Sequence, residues 1–187
     1  MNRGQSMMAS ELRVVAPVTE KIHFAIGISH VGHVLTAESS SGICAVYLGK
    51  SPKQMMASLQ HQFSDAICID GGKGVKSTLS KVIDQIHNPQ KRFDFRLDQR
   101  GTLFQQQVWQ ALCDIPSGST VSYSDIAEKL QNPGAVRAIA SACGANNIAV
   151  IVPCHRVIRK DGSLSGYRWG VEIKQALLRR ERMTLTK

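Results

Sequence analysis

The chain has 187 residues, 43% of them apolar and 20% charged, and 23 lysines and arginines against 14 aspartates and glutamates give a formal charge of +9. That balance is globular rather than disordered, the length allows one domain or two small ones, and no apolar run approaches the roughly 20 residues a bilayer span needs. The five cysteines are odd in number and form no C-x-x-C pair, which excludes a disulfide-stapled mini-protein and a cysteine-rich zinc ribbon and fits free thiols in a reducing, cytoplasmic setting.

Residues 1–20 are polar, rich in methionine and unpatterned, and read as a flexible tail without the apolar stretch of a signal peptide. From Ile22 the pattern becomes that of a strand meander: 22–28 and 42–48 are β-rich runs bounded by glycine and serine, with 33–38 between them. Ser51 and Pro52 then open a helix on which Met55, Met56, Leu59 and Phe63 share one face. Residues 66–69 predict a short strand, and Leu79, Val82, Ile83 and Ile86 mark a second helix stopped at Asn88 and Pro89. Residues 93–97 alternate as a strand does. Residues 71–77 are glycine-rich but lack phosphate-loop spacing, so a plain loop is expected there. His30 and His33 have no cysteine or carboxylate beside them and read as exposed turn histidines rather than metal ligands.

The second half changes character. Residues 104–112 read as a helix ended by Ile115, Pro116 and Gly118. Ser122 and Asp125 have the spacing of a capping box, which starts a helix through Leu130. Asn132, Pro133 and Gly134 make a tight turn into a second short helix, 135–143, with Gly144 as its expected C-cap. Two short helices across such a turn are a helix-turn-helix candidate, although all-α domains contain many such pairs. Residues 148–152 are strongly apolar and β-prone, and they lead into Pro153 and Cys154. A Gly/Ser-rich loop at 161–166 precedes a final helix, 171–183. From Arg156 to Lys187 nine basic residues face three acidic ones, a modest hint of an anionic partner such as nucleic acid.

Cys154, followed by His155, is the one cysteine given a reason to react. The nucleophile is the thiolate, which a free thiol of pKa about 8.5 supplies sparingly at neutral pH. A histidine in reach, directly or through one water, takes the proton, and a carboxylate on the other ring nitrogen fixes its tautomer. Glu181 on the last helix is a candidate for that carboxylate. Taken alone, a cysteine beside a histidine is more often a buried small residue next to a surface one.

The wider context changes that reading. Between Gly101 and about Glu181 the chain resembles the O6-alkylguanine-DNA alkyltransferases, repair proteins that move an alkyl group onto their own cysteine. The blocks that carry the likeness are 104–112 with Trp109, 115–116, 120–123 ending in Tyr123, 135–138 with Arg137, Asn146, 151–157 around Cys154, and 164–170 around Tyr167. A looser likeness runs through 23–27 and 42–46.

The resemblance implies an α/β protein: a ribonuclease-H-like mixed sheet with helices over 21–99, then a mainly helical, winged-helix-like part over 100–187 bearing the helix-turn-helix and the reactive cysteine. It makes Cys154 the alkyl acceptor, His155 its base through a water, and Glu181 the group that orients the imidazole. Tyr123 would donate to guanine N3, and backbone amides at Tyr167 and Arg168, beside Val157, would face O6. Arg137 would enter the duplex in place of an extruded base, with Ala135 and Ala138 allowing close approach to the minor groove. Asn146 would be a hinge between the recognition helix and a strand leading to Cys154. The partner implied is double-stranded DNA containing O6-alkylguanine, read by a monomer with no metal, cofactor or membrane, and O4-methylthymine would be a poorer substrate. Transfer would be irreversible, one turnover per molecule. Some relatives add a four-cysteine zinc module and a regulatory domain; neither is recognisable in these residues, so transcriptional activation is not expected.

Overall fold

The computed structural model describes residues 19–184. The tail expected at residues 1–20 therefore lies almost wholly outside the described residues. Strands β1 (Lys21–Ser29), β2 (Gly32–Ser39) and β3 (Gly42–Gly49) form an antiparallel meander, and β4 (Ile67–Asp70) adds to β1 in parallel, giving the order β3-β2-β1-β4. Between β2 and β3 the pairing moves from Ala37 opposite Ala45 to Glu38 opposite Ile43, so Cys44 is a bulge residue. The bulge breaks the alternation of period two, and both Cys44 and Ala45 join the same apolar cluster.

Helix α1 (Pro52–Gln62) begins as the sequence predicts, with Ser51 accepting from the amide of Gln54 and Pro52 in the first turn. Its Met55 and Leu59 cover one face of the sheet together with Ile22, Phe24, Leu35 and Tyr47. Helix α2 (Lys73–His87) lies on the other face, where Val75, Leu79, Val82 and Ile86 are buried. It approaches β1 so closely that a Cβ at Gly27 would sit 2.8 Å from the Ile83 Cδ1 atom. The plain loop expected at 71–77 is corrected: only Gly71 and Gly72, both at positive φ, form the turn, and the helix starts at Lys73. Gly72 has no side chain to cap that end, so the usual start signal is absent from the sequence.

Two expected strands are not strands. Of residues 93–97 only Leu97 makes a bridge, to Ile43, although the Ile43 amide also donates to the Arg96 carbonyl at 2.9 Å. Residues 148–152 likewise make one bridge, Ile148 to Val46, and then coil into a buried turn in which Val152 N donates to Ile148 O at 3.1 Å and Val150 adopts φ +70°. Their apolarity reports burial, which a turn satisfies as well as a strand.

Helices α3 (Leu103–Cys113), α4 (Tyr123–Lys129) and α5 (Val136–Ala145) follow, with a 3-10 turn at Pro133–Ala135 before α5 and a parallel pair β5 (Val121–Ser122) and β6 (Val157–Ile158). The Ser122–Asp125 capping box forms as expected, and an unanticipated one, Thr102–Gln105, starts α3. Helix α5 runs past Gly144, which is not its cap; Asn146 ends it. Trp109 Nε1 donates to Ala142 O at 2.9 Å and locks α3 to α5. Helix α6 (Val171–Met183) closes the chain. One apolar cluster joins α2 and the sheet to Val108, Trp109, Ile139, Val152 and Leu177, so both halves share a core. Among the described residues no helix is long and apolar enough to cross a membrane.

Candidate active site

Cys154 opens a 3-10 turn, Cys154–Arg156, packed between α3 and α6. The turn puts consecutive side chains to different uses. His155 is buried, and its Nε2 lies 2.8 Å from Glu181 Oε1. Arg156 grips the same carboxylate, Nε to Oε1 and Oε2 at 3.1 and 3.2 Å and Nη2 to Oε1 at 2.9 Å, while Nη1 donates to Ile115 O at 2.6 Å. The amide of Gly118 gives Oε2 a further bond at 3.0 Å. Glu181 thus ties the turn after α3, the cysteine turn and α6 together.

Burial works against charge on Glu181, but the bond from His155 and the Arg156 guanidinium outweigh it and hold the carboxyl at about 2. An ionised carboxylate only accepts, so the proton on the imidazole sits on Nε2 and Nδ1 carries a lone pair. Burial pushes the His155 pKa down against the pull of Glu181, so the ring is neutral at neutral pH and available as a base. Arg156, not His155, is then the charge partner of Glu181.

Cys154 itself is 4% exposed. Burial pushes the Cys154 thiol up to about 11, while a hydrogen bond from Asn146 and the charge of Lys174 pull the other way. At rest the sulfur is a thiol. Asn146 Nδ2 donates to Cys154 Sγ at 3.2 Å and to Val152 O at 3.0 Å, and its Oδ1 accepts from the Ile148 amide at 2.9 Å. Asn146 therefore joins the end of α5 to the segment before Cys154, but that segment is the coiled turn described above and not a strand.

Tyr123, the first residue of α4, pairs with Ser165 at 2.6 Å. Lys174, 1% exposed, donates from Nζ to Ser165 Oγ at 3.0 Å and to Val157 O at 2.6 Å. An ammonium can only donate, so Ser165 accepts from Lys174; its own proton is then available to the Tyr123 oxygen, an arrangement in which the phenol proton of Tyr123 can serve another acceptor. Burial raises the Tyr123 pKa, which keeps it a neutral donor.

The remaining predicted residues divide. Tyr167 stands edge-on to His155, ring centroids 6.5 Å apart, and Val157 is fully buried behind it. The Arg168 side chain turns away, its guanidinium over the rings of Tyr47 and Trp169 at 5.8 and 5.9 Å. Arg137 and Ala138 are exposed near the start of α5, Ala135 is half-buried in the preceding 3-10 turn, and Arg137 is the only charged residue of α5. Arg156, Ser165, Lys174 and Gly118 were not anticipated. Lys174 had a signal: with Leu178 and Glu181 it follows the i, i+4, i+7 spacing of a buried stripe, where an unpaired cation is out of place.

The Glu181 carboxyl also sets an acid limit on stability. Its folded pKa lies below its unfolded value of 4.5, so its contribution is complete above about pH 4.5 and is lost as pH falls toward about 2. Denaturant midpoints measured from pH 7 to 2 are expected to fall through that window. Glu181→Gln should lose about 3–5 kcal/mol at neutral pH, because Arg156 is left buried without its counter-charge, and should show a flatter acid limb. Parallel limbs for the two proteins would contradict this account.

Known proteins resemble this chain in sequence and in fold. Residues 103–183 match the family model described as 6-O-methylguanine DNA methyltransferase, DNA binding domain. The chain is 47% identical over 160 residues to the bifunctional transcriptional activator/DNA repair enzyme Ada of Escherichia coli, covering 86% of this chain and 45% of that protein. It is 39% identical over 136 residues to the inducible methylated-DNA–protein-cysteine methyltransferase of Bacillus subtilis, 71% of this chain and 76% of that one. The crystal structure of Mycobacterium tuberculosis OGT in complex with DNA superimposes with a TM-score of 0.72 at 35% identity, covering 86% of this chain and 93% of that one. The chain spans just under half the length of the first curated relatives it matches.

Proposed function

Because the chain belongs to the 6-O-methylguanine DNA methyltransferase family, we propose that it repairs DNA directly, moving the alkyl group of O6-methylguanine, and less readily of O4-methylthymine, irreversibly onto Cys154. The observation that carries this reading is the buried sequence of contacts beside Cys154: a neutral His155, oriented by Glu181 at 2.8 Å, with its Nδ1 lone pair uncommitted.

The reaction is an in-line displacement. Sulfur attacks the methyl carbon as the C–O6 bond breaks, and its proton passes through a water to His155 Nδ1. The imidazolium that forms is stabilised by Glu181. Charge builds on the purine, and the free phenol proton of Tyr123 meets it at N3, with Ser165 and Lys174 aligned behind. The net change is a methyl on sulfur and the thiol's proton on guanine. No group here can cleave a thioether, so each molecule acts once.

A stacked base cannot reach a buried sulfur, so the nucleotide must be extruded at a cost of a few kcal/mol. We read α4 and α5 as a helix-turn-helix in a winged-helix-like unit over 100–187, set against a ribonuclease-H-like unit over 21–99. Helix α5 lies in the minor groove, where its small exposed residues allow close approach and Arg137 fills the vacated stack. Asn146 is the hinge between that helix and Cys154. Val157 and the backbone amides of Tyr167 and Arg168 border the base, which enters as the 159–169 loop moves aside. A monomer in the cytoplasm, bound to chromosomal DNA, meets these requirements without a cofactor.

The decisive experiment mixes the protein with a duplex bearing one O6-methylguanine and weighs the peptide containing Cys154. A stoichiometric gain of one methylene mass is expected, with no further turnover. Lesion binding without mass gain would favour a protein that only flags lesions, and repeated turnover of an activated ester would favour a cysteine hydrolase.

A further inference from the structure

Two polar atoms at the centre of the site have no hydrogen-bond partner among the described residues although both are enclosed: His155 Nδ1 and the hydroxyl of Tyr167. Leaving either unsatisfied costs about 1–3 kcal/mol. They belong to neighbouring rings in edge-on contact, 74° apart with centroids 6.5 Å apart, a separation at which one water can reach both atoms. Cys154 is buried next to His155 in the same 3-10 turn. A buried water requires two to four polar partners. Nδ1 offers a lone pair, the phenol offers a proton, and the thiol offers a proton.

Resting on the alkyl-transfer reading above, we infer that the Tyr167 hydroxyl is the third anchor of the water that carries the proton from Cys154 to His155. Tyr167 is thus a positioning residue acting through that water. Its part differs from that of its backbone amide, which borders the base, and from that of Tyr123, which faces the purine. The proton count closes. The water accepts from the phenol and from S–H and donates one hydrogen to Nδ1. As the S–C bond forms, S–H passes to oxygen and the oxygen's proton passes to Nδ1, and the phenol keeps its proton throughout. The charged and titratable groups facing His155 are Glu181 and Lys174 from α6, Arg156 and Cys154 from its own turn, and Tyr167 from the 159–169 loop. Glu181 only accepts, and Arg156 and Lys174 are engaged with Glu181, Ile115 O, Val157 O and Ser165, which leaves the Tyr167 phenol as the neutral oxygen donor with no other partner among the described residues. Trp169 packs edge-on against the Tyr167 ring, centroids 5.1 Å apart, a contact that does not involve the hydroxyl.

The test is Tyr167→Phe in the full chain, which keeps the ring and removes the donor. Methyl transfer from O6-methylguanine duplex is expected to slow roughly 10- to 100-fold near neutral pH, part of the general-base contribution, and the rate–pH curve should move to higher pH. The same displacement should appear when chloroacetamide alkylates Cys154 without DNA, while the thermal midpoint and the affinity for lesion duplex stay within experimental error. Superimposable pH curves, with the unaltered chain active, would overturn the role of the phenol and leave the repair reading standing. Absence of transfer by the unaltered chain would overturn the repair reading itself. Should the phenylalanine variant melt early, Tyr167→Trp, which restores packing without the hydroxyl at that point, must show the displaced curve as well; an unshifted curve there also overturns the inference.

Discussion

Cys154→Ala is expected to abolish alkyl transfer outright while leaving a folded protein that still binds O6-methylguanine duplex. The sulfur is the only atom removed from the chemistry, and nothing beside it can replace it: His155 and Glu181 face each other, and Tyr123 and Ser165 offer only neutral hydroxyls, far weaker nucleophiles than sulfur. The structural loss is small. Asn146, which donates to the sulfur, keeps its bonds to Val152 O and from the Ile148 amide, so no buried polar group is stranded. The change should cost about 1 kcal/mol of stability, the ordinary magnitude for a single substitution. Gel-shift affinity within a few-fold of the unaltered protein, with no methylated peptide after prolonged incubation, is the expected pair of results. Residual methylation elsewhere in the chain would show that a different acceptor operates, and lost binding by a correctly folded variant would contradict the site.

Arg137→Ala should separate extrusion from chemistry. Arg137 projects from the second position of α5, solvent-exposed, on a helix with no other charged residue, and its removal leaves the buried side of α5 with Ile139, Ala142 and Cys143 unchanged. If the guanidinium occupies the gap left by the everted nucleotide, its loss returns about 2–3 kcal/mol of unstacking cost to the barrier, or roughly 30- to 150-fold in rate. Free O6-benzylguanine needs no extrusion, so its reaction with Cys154 should be nearly unaffected. Equal losses on duplex and free base would remove Arg137 from the extrusion step and make it a general electrostatic contact.

How far the sequence revealed this molecule depends on the distance over which each signal acts. The Ser122–Asp125 box and the Ser51–Pro52 start were legible because a cap is written within four residues. The start of α2 was not, since Gly72 caps with backbone alone. Residues 148–152 misled because five apolar residues state that a segment is buried and say nothing of its path; Val150 at positive φ belongs to a turn that only its surroundings impose. In the site, Cys154, His155 and Glu181 were singled out through the ordered blocks of a family, and the fold brings His155 and Glu181 to 2.8 Å of each other. Arg156 lay in the same block without a role being assigned, since its partners, Glu181 and Ile115 O, come from remote elements. The Lys174–Ser165–Tyr123 arrangement joins three segments more than forty residues apart at the extremes and was invisible before folding.

If each molecule is consumed by a single transfer, as proposed, the depth at which Cys154 sits has a consequence. A thiol held near pKa 11 is a poor target for peroxide, metal ions and stray electrophiles, all of which prefer the anion. Every copy lost to such accidents would be a lesion left standing. Keeping the proton in place until a purine arrives gives the idle molecule a long shelf life, at the expense of speed toward anything that does not first open the way in.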